Sequence, residues 1–373
     1  MQYGSKEMKN RLIMLEGLPG TGKSTNSFKL YEQLLLNGKK ADWLHEVSQP
    51  HPVLFFTESC MTKEEYSNFK TKHPEIAGLL DEMAEVRKTT VGIDQDDITR
   101  ECQRAQSQDW YQELLKYDAF PTELDRYELQ ALEKWEAFAK KASEDEDTVY
   151  ILDSSIFQYQ IFTYLLKATP YERLKAFVCK IAELIKTLNP LLIYLYRANT
   201  EDTIAFMKEQ RGEQDLVSTW KRDKGAPYYQ NKQDDVTAFY DFLKDYARYA
   251  EDLFETIEID KRKIEISSNN WRAYEDEMLE LLDIHRVEMQ EYKASDGTFE
   301  NAERGFSFTI KDNVMQDPEG VTRRLTPKSQ DEFFVEGIPT ILRFFGDNSI
   351  RLLGRKILAQ WTETGAVYTQ SYS

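Results

Sequence analysis

The chain has 373 residues, with 48 Lys+Arg against 65 Asp+Glu, a formal net charge of −17, and 41% hydrophobic and 30% charged residues. This hydrophobic share excludes wholesale disorder, and the negative charge excludes non-specific attraction to nucleic acid or to an anionic membrane surface. At roughly 100–200 residues per domain, the length predicts two domains or three.

The opening pattern is strand, glycine-rich loop, helix. Residues 12–15 form a short apolar run, as expected of a strand buried on both faces. After the loop, Phe28, Leu30, Tyr31, Leu34 and Leu35 recur at helical spacing, and Gly38 stops the helix. Residues 41–45 are the next strand candidate, giving the start of a β-α-β unit and hence a parallel sheet. Residues from about 62 to 142 are predicted to be helical. Their strongest amphipathic helix carries Leu124, Tyr127, Leu132, Trp135, Phe138 and Ala139, before an acidic run at 143–147.

Residues 148–152 form a third strand, stopped by Asp153-Ser154-Ser155. Two helices, 156–167 and 171–188, are divided by Pro170, and residues 191–196 are the most apolar strand. Val236, Phe239, Leu243, Tyr246, Ala250, Leu253 and Ile257 share one helix face. Residues 264–267 are a last strand, and Trp271, Tyr274, Met278 and Leu281 mark a closing helix. The expected fold is α/β, a three-layer domain over residues 1–285 with a parallel sheet and a helical insertion at about 60–145.

From residue 286 the period changes to two, as in Phe306, Phe308 and Ile310. Asp296-Gly297 and residues 346–348 are turn signals. Residues 333–335, 341–345 and 357–361 are strand candidates, so residues 286–373 are expected to be a small all-β domain. Cys60, Cys102 and Cys179 form neither a C-x-x-C pair nor a ligand cluster, which points to a reducing, cytoplasmic setting. Neither a secretory signal nor a stretch of ~20 apolar residues is present, so no membrane association is expected.

Gly17-Leu18-Pro19-Gly20-Thr21-Gly22-Lys23-Ser24 matches G-x-x-x-x-G-K-[ST]. Glycines let the backbone turn tightly, so that successive N–H groups converge on phosphate oxygens, and the following helix adds its positive end. Gly17, Gly20, Thr21, Gly22, Lys23, Ser24 and Thr25 are therefore candidate nucleotide contacts. Lys23 is expected to reach the β- and γ-phosphates and Ser24 to ligate Mg²⁺. Asp153, ending an apolar strand, is the candidate second magnesium ligand. Glu46, at the end of the second strand, is placed to take a proton from an attacking hydroxyl. His45 and His51 beside it are candidate substrate contacts.

These residues carry a resemblance. The loop at 17–25, followed by a strand ending in Glu46 and another ending in Asp153, resembles the P-loop kinases of the deoxynucleoside and thymidylate kinase group. The resemblance covers about residues 10–284. It implies a P-loop fold, ATP with Mg²⁺ as cofactor, and phosphoryl transfer to a hydroxyl or phosphate of a small-molecule acceptor. It also implies a mobile lid after the fourth strand, whose arginines here are Arg211 and Arg222. The group's third-strand motif pairs the acid with arginine, whereas this chain has Asp153-Ser154-Ser155, so the acceptor is not identified as a nucleoside.

Asn231-Lys232-Gln233-Asp234 has the letters of a guanine-binding signature, but no apolar strand precedes it. Asp317-Pro318-Glu319-Gly320 is expected to open a helix. The C-terminal domain is similar to a small lipocalin-like β-domain, carried by residues 325–327, 331–333 and 341–345. It is expected to serve stability or interaction. The alternative function is a nucleotide-gated regulatory ATPase whose β-domain binds a partner; it differs from the kinase in needing no acceptor pocket.

Overall fold

The computed structural model describes residues 8–102, 104–120 and 123–371. Strand β1 (Leu12–Gly17) leads through the glycine-rich loop into α1 (Lys23–Leu36), and β2 (Lys40–Leu44) follows. After the insertion come β6 (Thr148–Asp153), α7 (Gln158–Leu166), α8 (Tyr171–Ile185) and β7 (Pro190–Tyr196). Then follow α9 (Thr200–Arg211), α10 (Glu213–Asp223), α11 (Thr237–Thr256), β8 (Asp260–Glu265) and α12 (Trp271–Leu281). The five strands form one parallel sheet in the order β2-β6-β1-β7-β8. Thus β2 does not pair with β1; β6 inserts between them. The sequence order of a β-α-β unit does not specify which strands become neighbours.

Alternation along each strand splits the core into two layers. Leu12, Met14, Leu44, Leu152 and Leu192 face α6, α7, α8 and α11. Here α6 is the long amphipathic helix (Leu124–Glu144). Ile13, Leu15, Trp43, Ile151, Leu191 and Ile193 face α1 and α12. Both faces are covered, which is why the central strands β1, β6 and β7 are apolar without alternation, whereas the edge strands β2 and β8 carry polar residues.

The insertion is not purely helical. Strands β3 (Glu58–Thr62), β4 (Glu85–Val86) and β5 (Thr90–Asp94) make an antiparallel sheet ordered β3-β5-β4. Helices α2 (Lys63–Lys72), α3 (Ala77–Met83), α4 (Gln95–Glu101) and α5 (Asp109–Leu114) pack around it. Met61, Phe69, Leu80, Val91, Ile93 and Trp110 form a core of its own. α2 starts with a reciprocal Thr62–Glu65 capping box. A buried ion network ties the insertion down: the Glu58 carboxylate lies between Lys134 of α6 and Arg87. Burial pushes its pKa up, but the two cations outweigh burial and hold it below the usual value.

The C-terminal domain is a closed antiparallel barrel of eight strands. They are β9 (Gly297–Asn301), β10 (Phe306–Lys311), β11 (Val314–Gln316), β12 (Thr322–Pro327), β13 (Glu332–Val335), β14 (Thr340–Phe344), β15 (Ser349–Gly354) and β16 (Val367–Ser371). Each pairs with its chain neighbour, and β16 closes on β9. Phe299, Phe308, Met315, Leu325, Phe333, Leu342, Ile350, Trp361 and Tyr368 fill the interior. The β10–β11 turn is Asp312-Asn313, both at positive φ (52° and 59°), as a two-residue type I′ hairpin requires.

Two expectations fail here. Residues 357–361 are not a strand: Ile357 makes one isolated bridge to Ser48, and a 3₁₀ turn at Gln360–Thr362 inserts Trp361 into the barrel. Asp317 opens no helix. Its carboxylate accepts the Glu319 and Val321 N–H groups and pairs with Arg323, making a tight turn between β11 and β12.

The barrel is docked on the sheet domain. Phe334 and Ile341, paired across β13 and β14, point outward into the layer containing Tyr31 and Leu34 of α1. The Thr326 hydroxyl donates to the buried Glu32 carboxylate (2.8 Å). No helix among the described residues is long and apolar enough to cross a membrane.

Candidate functional site

The site lies at the carboxyl ends of the parallel strands, where side chains from several strands meet above the sheet edge. Gly17 ends β1 at φ 153°. A Cβ there would strike the Leu195 carbonyl oxygen of β7, so the loop leaves the sheet only with glycine. A Cβ on Gly20 would meet Met207 of α9 at 2.6 Å, because α9 lies directly on the loop. Gly22 also has positive φ (80°). Thr21 is buried and donates to the Leu18 carbonyl (2.8 Å).

α1 begins at Lys23, and the Asn26 N–H to Gly22 carbonyl bond (2.9 Å) is the first of its ladder. The N–H groups of Lys23, Ser24 and Thr25 precede it, at the positive end of the helix. Thr25 itself is exposed. The Lys23 ammonium folds back to donate to the Gly17 and Leu18 carbonyls (3.0 and 2.9 Å). Burial lowers its pKa, opposed by Glu16, Glu46 and Asp153, and Arg211 adds to the lowering.

Ser24 donates to Asp153 Oδ2 (2.7 Å). Asp153 is fully buried, and its Oδ1 has no hydrogen-bond partner. A hydroxyl and a buried carboxylate with an idle oxygen form a hard oxygen donor set, suited to Mg²⁺ shared with phosphate oxygens. Among the described residues no group of three or more His, Cys, Asp or Glu side chains is placed to hold a metal alone.

Glu46, on the turn after β2, stands in the field of the same groups. Burial raises its pKa, Asp153 raises it further, and His45, Lys23 and Arg211 pull it down. It opens onto a pocket of about 620 Å³. Phe56, Phe120 and Tyr159 form an aromatic wall, with Phe56 and Phe120 each 5.6 Å from the Tyr159 ring. Gln158, Phe162 and Thr163 of α7 continue it, and Arg211, Asp215, Arg222 and Asp223 close the far rim. Both arginines are half-exposed or more. Arg222 is held by Asp223 (2.6 Å), whereas Arg211 is 3.9 Å from Asp215.

The structure therefore brings together Lys23, Ser24, Asp153, Glu46, Arg211 and Arg222. It leaves out the two histidines. His45 Nδ1 accepts the Val47 N–H (3.2 Å), and its ring packs edge-on against Trp43. His51 Nδ1 accepts the Val53 and Leu54 N–H groups (3.2 and 2.9 Å). Burial, then Lys134 and Arg355, push the His51 pKa well down, keeping the ring neutral. Both histidines brace the loop rather than face the pocket. His51 lines a separate cavity of about 570 Å³, beside Asp42 and Arg355.

Glu16 was not anticipated. It is 1% exposed and accepts the N–H groups of Ile156, Phe157 and Gln158 (2.7, 3.0 and 3.1 Å). It thus joins the base of the glycine-rich loop to the start of α7, the pocket wall. Burial raises its pKa to about 7 against the lowering by these N–H donors and Lys23. A lone acid inside an apolar strand was the available signal. The Asn231–Asp234 run lies in a turn before α11, not at a strand end.

Comparison with protein-family models finds no match, and comparison with curated proteins finds no relative.

Proposed function

We propose that the protein is an ATP-dependent small-molecule kinase, transferring the terminal phosphoryl group to a hydroxyl or phosphate of a small acceptor. The observation that carries this reading is convergence. Lys23, the Ser24–Asp153 pair and Glu46 meet where the glycine-rich loop opens into a half-open, aromatic-walled pocket. A regulatory ATPase has no need of such a pocket.

In this reading the N–H groups of Lys23 to Thr25 bind phosphate oxygens at the helix end. Lys23 exchanges its two carbonyl partners for the β- and γ-phosphates. Ser24 and Asp153 would hold Mg²⁺, whose role when bound is to neutralise charge on the phosphates. The acceptor lies between Phe56, Phe120 and Tyr159 with its hydroxyl toward Glu46. Glu46 accepts the hydroxyl proton as the acceptor oxygen bonds to the γ-phosphorus. The bond from that phosphorus to the bridging oxygen breaks, and ADP keeps the electron pair. Arg211 and Arg222 bind the equatorial oxygens once they swing inward from the rim. The aromatic wall favours an acceptor with a flat, weakly polar body.

ATP turnover against nucleosides, sugars, aminoglycosides and small alcohols tests this reading. At least one acceptor is expected to raise turnover above that in water, and Lys23→Ala is expected to lower it by on the order of 10²–10³. Turnover unchanged by Lys23→Ala overturns the site. Hydrolysis that no acceptor stimulates favours the regulatory ATPase.

A further inference from the structure

We infer that the C-terminal barrel supports the acceptor site from outside the pocket: its segment 355–358 holds the loop that presents Glu46. The inference rests on the reading of Glu46 as the base. It does not depend on the barrel binding anything.

The Glu46 turn closes by the Ser48 N–H donating to the His45 carbonyl (2.8 Å). The next residues do not return to the sheet domain for their main-chain partners. The Gln49 N–H donates to the Lys356 carbonyl (3.0 Å), and the Leu358 N–H donates to the Val47 carbonyl (2.9 Å). Ser48 and Ile357 form the antiparallel bridge between them. The loop is thus tied to the barrel's chain by one antiparallel bridge and its two flanking main-chain hydrogen bonds. Ile357 is buried in the barrel core, and Val47 packs against that core from outside. Ser48 and Gln49 are buried beneath the contact.

Side chains lock the same segment on either side. Arg355 forks onto Asp42 of β2 through Nε and Nη2. Lys356 pairs with Asp97 of α4, and Arg100 of α4 pairs with Glu363 of the barrel (2.9 Å). Sheet edge, insertion and barrel therefore meet around residues 47–49. Paired backbone is far stiffer than a free loop, and a shift of about 1 Å in a reacting group can cost 10²-fold in rate. Residues 355–358 are thus positioning residues acting through Glu46.

The test removes the pairing and asks whether the loss passes through Glu46. Leu358→Pro deletes the N–H that binds Val47. Arg355→Ala deletes the Asp42 fork without touching the main chain. Each is made in the full chain, alone and with Glu46→Gln. Turnover of ATP–Mg²⁺ is followed with whichever acceptor stimulates it, or with water if none does, beside ATP affinity and hydrogen exchange of the Gln49 amide.

Leu358→Pro is expected to lower kcat by on the order of 10²-fold, and Arg355→Ala by roughly 2- to 30-fold. ATP affinity should hold and Gln49 protection should fall. In the Glu46→Gln background neither substitution should lower kcat further. If Leu358→Pro does not fold, Arg355→Ala alone decides. Losses that multiply with Glu46→Gln, or an Arg355→Ala variant with wild-type kcat, overturn the inference. A Glu46→Gln variant with wild-type turnover overturns the base reading instead, so the two failures are distinct.

Discussion

The parallel sheet and the barrel are both strand assemblies with apolar interiors, but only in the sheet do the strands bring their carboxyl ends to one edge. In the sheet all five strands end on one side, so Gly17, Leu44 and Asp153 deliver a loop, a turn and a carboxylate to the same edge. The helices crossing back leave the space above that edge open. In the barrel, neighbouring strands run in opposite directions and the sheet closes, so no common end collects functional groups. Phe299, Phe308, Trp361 and Tyr368 take up the interior that a ligand would need. What the barrel offers is its outer surface: Phe334 and Ile341 against α1, and residues 355–358 against the Glu46 loop. Parallel topology gathers the candidate groups at one edge, and the closed barrel contacts the loop that carries Glu46.

The comparison breaks first at Glu46. Glu46→Gln is expected to lose on the order of 10²–10⁴ in single-turnover transfer while keeping ATP–Mg²⁺ affinity. Asp153→Asn should instead raise the Mg²⁺ requirement in nucleotide titrations. The wild-type rate should fall on acidification through a pKa above the ordinary 4.5, because burial and Asp153 raise that of Glu46. Were Glu46→Gln to transfer at the wild-type rate, Asp153 would become the candidate base.

The supporting role of the barrel is sharpened by Trp361→Ala, which empties the centre of the barrel core and should cost about 3–5 kcal/mol in urea unfolding. Because Phe334 and Ile341 are shared with the sheet domain, a single transition is expected. Two separated transitions would mean that the barrel is an independent appendage.

The smallest effect concerns Glu16, under the glycine-rich loop. Folding raises its pKa from 4.5 to about 7, chiefly by burial. Between these values the native state keeps a proton that the unfolded chain releases. Its contribution is therefore greatest below pH 4.5 and is lost as the pH rises toward 7, by about 3 kcal/mol in all. Asp94, raised by burial to about 6, adds a slope of the same sign. The difference between wild type and Glu16→Gln in urea midpoints from pH 4.5 to 7 isolates Glu16. Parallel profiles for the two proteins would show that Glu16 titrates as an ordinary carboxylate.

Much of the architecture is local in origin. Glycine spacing at 17, 20 and 22 demands a loop between β1 and α1, and apolar runs mark the three central strands β1, β6 and β7, whereas the edge strands β2 and β8 carry polar residues. Period-two alternation marks the barrel. The Ser24–Asp153 contact follows from placing a hydroxyl at a helix start beside a strand-ending acid. Other features were hidden because their signals are weak or their partners distant. Residues 58–62 and 90–94 contain cysteine, methionine and glycine in strands too short to show a period. They pair only because their packed helices bury both. His45 and His51 look like ligands in a list of residue types, yet each accepts backbone N–H groups within its own loop. The bridge from residues 47–49 to 356–358 joins segments some three hundred positions apart. No local pattern encodes such a pairing, since main-chain hydrogen bonds carry no side-chain signature. The sequence alone marked the central strands of the sheet, the helices that follow them and the residue types at their ends. Tertiary structure decided which ends meet and what holds the Glu46 loop, because those depend on close packing between surfaces that the chain brings together only on folding.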